Sequence, residues 1–224
     1  VSAALVSLTL GTPISASADR SDVGTQYNGG FIAPGLFVGA EILASTNWDD
    51  RASWLTGVYF RTASVLSVFD IQVEYSVAGH TLKSGAKRGR MTRHSVSTSL
   101  NLHPFFTRML AADYGSRVLS AFYLQLGLSG EFMSLEREAP DVDRTHSAFS
   151  LHWGAGFDMP LGDPNGDGAF WLGFNWRWKF VYWDPQFPGN NDTHAHQTVM
   201  VLTYRFNNIS FTRIDRPDQM RWRE

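Results

Sequence analysis

Residues 69–77 read Phe69-Asp70-Ile71-Gln72-Val73-Glu74-Tyr75-Ser76-Val77. The odd positions carry Phe, Ile, Val, Tyr and Val, and the even positions carry Asp, Gln, Glu and Ser. Successive side chains of a β-strand point to opposite faces, so this stretch predicts a strand with one large apolar face and one polar, charged face. The same alternation recurs along the chain and gives eight expected strands, at 31–44, 54–63, 68–77, 91–103, 118–135, 146–160, 169–183 and 196–206. Eight such strands predict an all-β fold: a closed, antiparallel, up-and-down barrel that spans a membrane and keeps a polar interior.

The seventh strand decides which face meets lipid. Its even positions are Phe170, Leu172, Phe174, Trp176, Trp178, Phe180 and Tyr182; its odd positions include Asn175, Arg177 and Lys179. Arg or Lys facing the bilayer midplane costs about 2–4 kcal/mol, so the even set faces outward. Applied to every strand, this reading places Glu41, Asp70, Glu74, Glu131 and Asp158 inside, against Arg61, Arg93, Arg177, Lys179 and Arg205. The interior of an eight-stranded barrel is just wide enough to be filled by side chains. Five acids against five bases in that space predict paired charges and a closed lumen, because an unpaired buried charge is costly. A lining of one sign would have marked an ion path instead.

Composition agrees with this class. The chain has 224 residues, 43% of them hydrophobic, and no run near the ~20 apolar residues of a membrane helix. Aromatics make up 14%, including eight Trp and sixteen Phe, which suits a barrel with aromatic girdles. A net charge of −2 gives no reason to invoke nucleic acid. There is no cysteine, so neither a disulfide nor a lipoprotein anchor is expected. Val1 to Ala18 reads as the apolar part of a truncated signal peptide ending in the small-residue site Ala16-Ser17-Ala18. The expected organisation is therefore signal peptide 1–18, periplasmic segment 19–30, barrel 31–206 and periplasmic tail 207–224.

The connections carry the remaining signals. Ala78 to Arg90 is expected as a long, basic, Gly-rich outer loop; its Lys83, Lys87, Arg88 and Arg90 suit contact with the phosphates of surface lipopolysaccharide. Pro104 to Arg117 is too long and apolar for an ordinary periplasmic turn. Its Phe105, Phe106, Met109 and Leu110 stand at helical spacing and predict one short helix between strands 4 and 5. Asp163, Asn165 and Asp167 match the first half of a calcium loop, but Phe174 stands where the bidentate Glu belongs, and Pro, Asn, Asp and Gly equally make a plain turn. His194 and His196 alternate within one expected loop and could share a metal, with His80 and His94 near the same barrel end. No Cys or carboxylate constellation completes such a site, and neither a metal nor any other cofactor is expected. His94 with Ser95 or Ser97, and His146 with Ser147, lack the spacing that sets base and nucleophile side by side on one strand face, so no catalytic set is assigned.

In this architecture the chain resembles the small eight-stranded outer-membrane barrels of the OmpA/OmpX type, over residues 31 to 206. The resemblance implies the outer membrane of a Gram-negative envelope, with outer-membrane lipid, lipopolysaccharide and the barrel-insertion machinery as partners. That machinery reads a terminal aromatic pattern, which Tyr204 and Phe206 match, although Val201 occupies the pattern's Gly position. The function expected is structural or surface-interactive, without catalysis. The alternatives are a narrow solute channel, a lipid-A-modifying barrel enzyme, and a soluble lipocalin-like barrel with its apolar set turned inward.

Overall fold

The computed structural model describes residues 30–44, 52–63, 68–84, 87–107, 114–137, 144–162, 168–183 and 192–207. The elements are β1 (Phe31–Leu43), β2 (Ala52–Ala63), β3 (Phe69–Ser84), β4 (Lys87–Leu102), α1 (Tyr114–Ser120), β5 (Phe122–Arg137), β6 (Arg144–Pro160), β7 (Gly168–Trp183) and β8 (Asp192–Asn207). All eight strands pair antiparallel with their sequence neighbours, and β8 closes onto β1. The end that carries Phe31 and Asn207 is the lower end, and the opposite end the upper.

The register fixes the tilt. From Ile32 the pairing runs through Thr62, Ile71, Leu100, Leu126, Trp153, Trp178 and His196 and returns to β1 at Ile42, ten residues further on. A closed sheet of eight strands with that stagger tilts its strands by about 40° and leaves room inside for side chains alone.

Every residue on that walk faces outward, and the outer surface is apolar. Leu36, Val58, Val73, Leu100, Leu126, Leu151, Phe174 and Leu202 are all exposed. Soluble monomers rarely expose apolar patches beyond a few hundred Å²; here the belt encircles the molecule. Among residues whose side chains are described, the only charged ones on the outward face are Arg90 and Glu136, opposite each other at the upper end of β4 and β5. This inside-out arrangement overturns the lipocalin-like alternative, which needs the apolar set within.

Three local expectations are corrected. The basic stretch from Ala78 to Arg90 is not a long loop. β3 runs on to Ser84 and β4 starts at Lys87, because the in–out alternation continues: Ala78 and His80 are buried while Thr81 is exposed. The helix between β4 and β5 occupies Tyr114–Ser120, not the apolar cluster. Phe105 and Phe106 sit in a turn and a short 3₁₀ segment, while Met109 and Leu110 lie outside the described residues. β5 consequently starts at Phe122 rather than at position 118. Finally, β8 begins at Asp192, so His194 is a strand residue.

The β1–β8 seam has one local gap. Ile32 pairs with Phe206 and Gly35 with Thr203, but Ala33 and Pro34 have no partner on β8. Proline has no N–H to donate, so it is tolerated only where the ladder can be interrupted, here near the strand's start.

Candidate functional site: the filled lumen

All ten charged side chains assigned to the interior lie in the lumen and are buried: Glu41, Arg61, Asp70, Glu74, Arg93, Glu131, Asp158, Arg177, Lys179 and Arg205. They are distributed in storeys. At the bottom, Arg61 binds Asp70 through two contacts, of 3.0 and 2.5 Å, and Asp158 at 2.7 Å. Arg205 reaches the same Asp158 oxygen at 2.8 Å. The Arg205 guanidinium lies over the rings of Phe31 and Trp171, 4.3 and 4.0 Å from their centroids, and this stack fills the lower mouth. His103 Nε2 approaches Asp70 at 2.7 Å, and its Nδ1 lies 3.0 Å from the Ser120 carbonyl. That contact ties the last residue of α1 to the lumen.

In the middle storey Arg177 pairs with Glu74 across the barrel. Gln72 donates to Glu74 at 2.9 Å, and Arg177 Nε donates to Asn175 at 2.8 Å. Asn101 donates to both Asp70 (2.6 Å) and Gln72 (3.2 Å), which joins this storey to the one below. Higher up, Lys179 donates to Glu131 at 2.6 Å and to Ser95 at 2.9 Å. Ser95 and Ser150 both donate to the same Glu131 oxygen, at 3.0 and 2.7 Å. Arg93 meets Glu41 directly and Glu131 Oε2 at 3.6 Å. Glu41 also takes His80 Nε2 at 2.8 Å and Gln197 at 2.6 Å. Above this lies an apolar cap of Leu43, Met91, Met133, Val181 and Ala195, all buried.

Within each set the Arg and Lys side chains equal the Asp and Glu side chains in number. The lower two storeys hold Arg61, Arg177 and Arg205 with Asp70, Glu74 and Asp158. The upper one holds Arg93 and Lys179 with Glu41 and Glu131. Ionised groups held in this way have their attraction and their hydrogen bonds to offset lost hydration, which is the condition for a buried pair to be tolerable.

Two members of the network are not evident from residue type. Sequence composition points to a solvated loop for His80 and to no role for His103; both are buried against carboxylates. Their parity is the available signal, since His80 shares the inward phase of Glu74 and Ala78, and His103 that of Arg93 and Asn101. His152 lies between the upper and middle storeys. Its Nε2 meets Ser99 at 2.8 Å and its Nδ1 meets Ser129 at 3.3 Å. Both nitrogens are thus engaged by hydroxyls, which leaves neither for an orienting carboxylate of the kind a serine nucleophile requires.

The other sequence candidates are dispersed. His94 faces outward and lies 2.7 Å from the Tyr75 hydroxyl, while Ser95 and Ser97 point into the lumen. His146 has the inward phase and Ser147 the outward. Tyr204 and Phe206 are neighbours on the outer face at the lower end, ring centroids 4.8 Å apart. Arg90 is exposed; the side chains of Lys83, Lys87 and Arg88 lie outside the described residues, as do Asp163, Asn165 and Asp167. Among the described residues no three His, Asp or Glu gather into a metal cage.

No protein-family model matches the chain, and no curated protein matches it at the level of sequence. Solved structures do match in shape. A crystal structure of Ail, the attachment invasion locus protein of Yersinia pestis, in complex with the heparin analogue sucrose octasulfate, superposes with a TM-score of 0.51 at 9% identity, covering 79% of this chain and 99% of Ail. The chain has the Ail fold. A second Ail crystal structure gives 0.47 at 11% identity, again over 79% of this chain and 99% of Ail. Neisserial surface protein A gives 0.43 at 9% identity, over 79% of this chain and 96% of its own. These are small eight-stranded barrels of the kind the sequence resembles.

Proposed function

We propose that the protein is an outer-membrane barrel of a Gram-negative envelope that acts at its surface and conducts nothing. The observation that carries this reading is the lumen. It is filled by two sets of charges in which Arg and Lys match Asp and Glu in number, capped by Leu43, Met91, Met133, Val181 and Ala195 above and by the Phe31–Arg205–Trp171 stack below. The apolar belt, free of described charges except at its upper rim, supports insertion in a bilayer. On this reading Val1 to Ala18 is an export signal, and 19–30 and 207–224 face the periplasm; residues 1–29 and 208–224 lie outside the described residues. The terminal Tyr204 and Phe206 then serve recognition by the insertion machinery.

Surface contact is assigned to the upper hairpin of β3 and β4. Its sequence carries Lys83, Lys87, Arg88 and Arg90 at the upper end of the two strands, and Arg and Lys bind the phosphates of lipopolysaccharide well. Ail, which shares the fold, is known in complex with a sulfated polyanion, and that supports the same charge logic for this chain.

Recording from the full chain in planar bilayers tests the sealed lumen. No stable single-channel steps are expected. Reproducible, ion-selective steps would overturn the proposal and establish the channel alternative.

A further inference from the structure

His194 and His196 stand out in the sequence as an alternating pair, and the proposed surface role leaves them unused. The structure places both on β8, in the strand that pairs with β7. Positions two apart share a face, and Ala195 between them is buried in the lumen, so both imidazoles stand on the outer surface. Both lie in the upper part of β8. His196 lies opposite Ile42 and Trp178, and His194 opposite Phe180.

Three aromatic rings surround the pair. Trp178 stands edge-on to His196 with centroids 3.8 Å apart and lies 6.4 Å from His194; Phe180 is 5.0 Å from His194, and Trp176 is 6.0 Å from His196. The rings limit the imidazole rotamers, which lowers the entropy lost on joint binding. Two polar atoms at this spot are buried without a hydrogen-bond partner, His194 Nδ1 and Trp178 Nε1. An unsatisfied buried nitrogen in a folded protein calls for a water or an ion. An indole N–H is a donor only and suits a water on that ion, whereas an imidazole nitrogen can ligate the ion itself.

We propose that His194 and His196 form a two-imidazole site for a late first-row divalent cation, Cu2+ or Zn2+, on the outer face of the barrel. Same-face neighbours on a strand are about 7 Å apart along it, a span that two leaning imidazoles close around an ion at about 2.0–2.1 Å from each nitrogen. Imidazole is the ligand these ions favour, and Cu2+ stands highest in the affinity order. Water completes the coordination. The choice of a cation over an anion follows from the neighbourhood: no Lys or Arg with a described side chain shares this part of the outer face.

The test uses the full chain without an affinity tag, folded in phosphocholine vesicles and titrated with Cu2+. One ion per chain is expected, with an electron paramagnetic resonance spectrum showing two nitrogen ligands and with quenching of tryptophan fluorescence. Removing even a group that only hydrogen-bonds a ligand weakens metal sites about 10–100-fold, so His194→Ala and His196→Ala are each expected to lose at least about tenfold in affinity. His94→Ala, on a different strand, retains the site. Binding that is the same in the His194→Ala/His196→Ala double variant as in the wild type would overturn the proposal, and so would absence of any stoichiometric binding. A heat-sensitive gel shift confirms that each variant is folded. Failure of this test leaves the sealed-barrel reading untouched, since that rests on conductance.

Discussion

The middle storey of the lumen gives the sharpest test of how the barrel is held. Arg177 is the cation paired with Glu74, and both side chains are only 1–2% exposed. Replacing Arg177 by Met keeps the length of the side chain and strips the charge. Glu74 then loses its ion pair and keeps one direct hydrogen bond from Gln72, at 2.9 Å, with Lys179 the remaining cation nearby. Breaking a buried pair from one side costs about 3–5 kcal/mol, because the surviving charge is uncompensated. Glu74→Gln is expected to cost a similar amount, by stranding Arg177 with its bond to Asn175. The double variant carries no orphan. Its loss should fall well short of the sum of the two singles, with a coupling of at least about 2 kcal/mol. Urea unfolding in lipid vesicles, followed by tryptophan fluorescence, measures all four corners of the cycle. If the double variant loses as much as the two singles added together, the two charges do not compensate each other, and the lumen is not held by charge pairing.

Three further outcomes follow from particular contacts. Leu126 is 65% exposed, the most open of the outward set, so Leu126→Arg should cost up to about 2–4 kcal/mol of barrel stability; folding yields in vesicles equal to wild type would contradict the face assignment. A Cβ on Gly39 would press on the Thr198 carbonyl and the Val199 Cα, which are backbone and cannot swing aside, whereas one on Gly130 would meet only Phe132, at 3.9 Å. Gly39→Ala should therefore lower the unfolding free energy measured in urea, while Gly130→Ala leaves it level or raises it by about 0.4–1 kcal/mol; the reverse order would refute the packing at the seam. His103→Ala removes the contacts to Asp70 and to the Ser120 carbonyl. Amide hydrogen exchange over 114–121 should then accelerate more than exchange in β5, and equal protection in both variants would show that His103 does not hold α1.

Strand count and facing were legible because alternation is a property of each strand alone, and one charged residue per strand, acid or base, is enough to say which set does not face lipid. The failures have a different origin. At the β3–β4 hairpin, His80, Lys83, Gly85, Lys87, Arg88 and Gly89 have a loop-like composition, yet a strand pair that outruns the membrane needs no apolar outer face, and composition stops tracking structure there. In the β4–β5 connection, Phe105 packs against Phe122, in the outward phase of β5, with centroids 6.0 Å apart, so its apolar character serves a contact with the strand and not a helix face. Within the lumen, parity identifies which side chains point inward but not which pairs form. That depends on the ten-residue stagger, which lifts each strand relative to the one before and brings Glu74 level with Arg177, 103 residues away.

The long reach of these contacts bears on how the barrel closes. Arg61 on β2 binds Asp158 on β6, Arg177 on β7 binds Glu74 on β3, Lys179 on β7 binds Ser95 on β4, and Arg93 on β4 binds Glu41 on β1. None of these strands are neighbours in the sheet. A partly curled sheet can form every backbone ladder except β1–β8 and still make none of these cross-lumen contacts, since its opposite walls are too far apart. Until closure the ten charges stay hydrated, and after it they are either paired or left as a severe penalty. The network therefore discriminates against staggers other than the observed one. Shifting any strand by one residue turns its charges into the belt, and shifting it by two moves them to another level, where the partner is missing. Apolar packing alone would not make that second distinction so sharply, because Leu, Val and Phe on the belt meet lipid equally well at either level. The polar interior thus acts as the register key of the barrel.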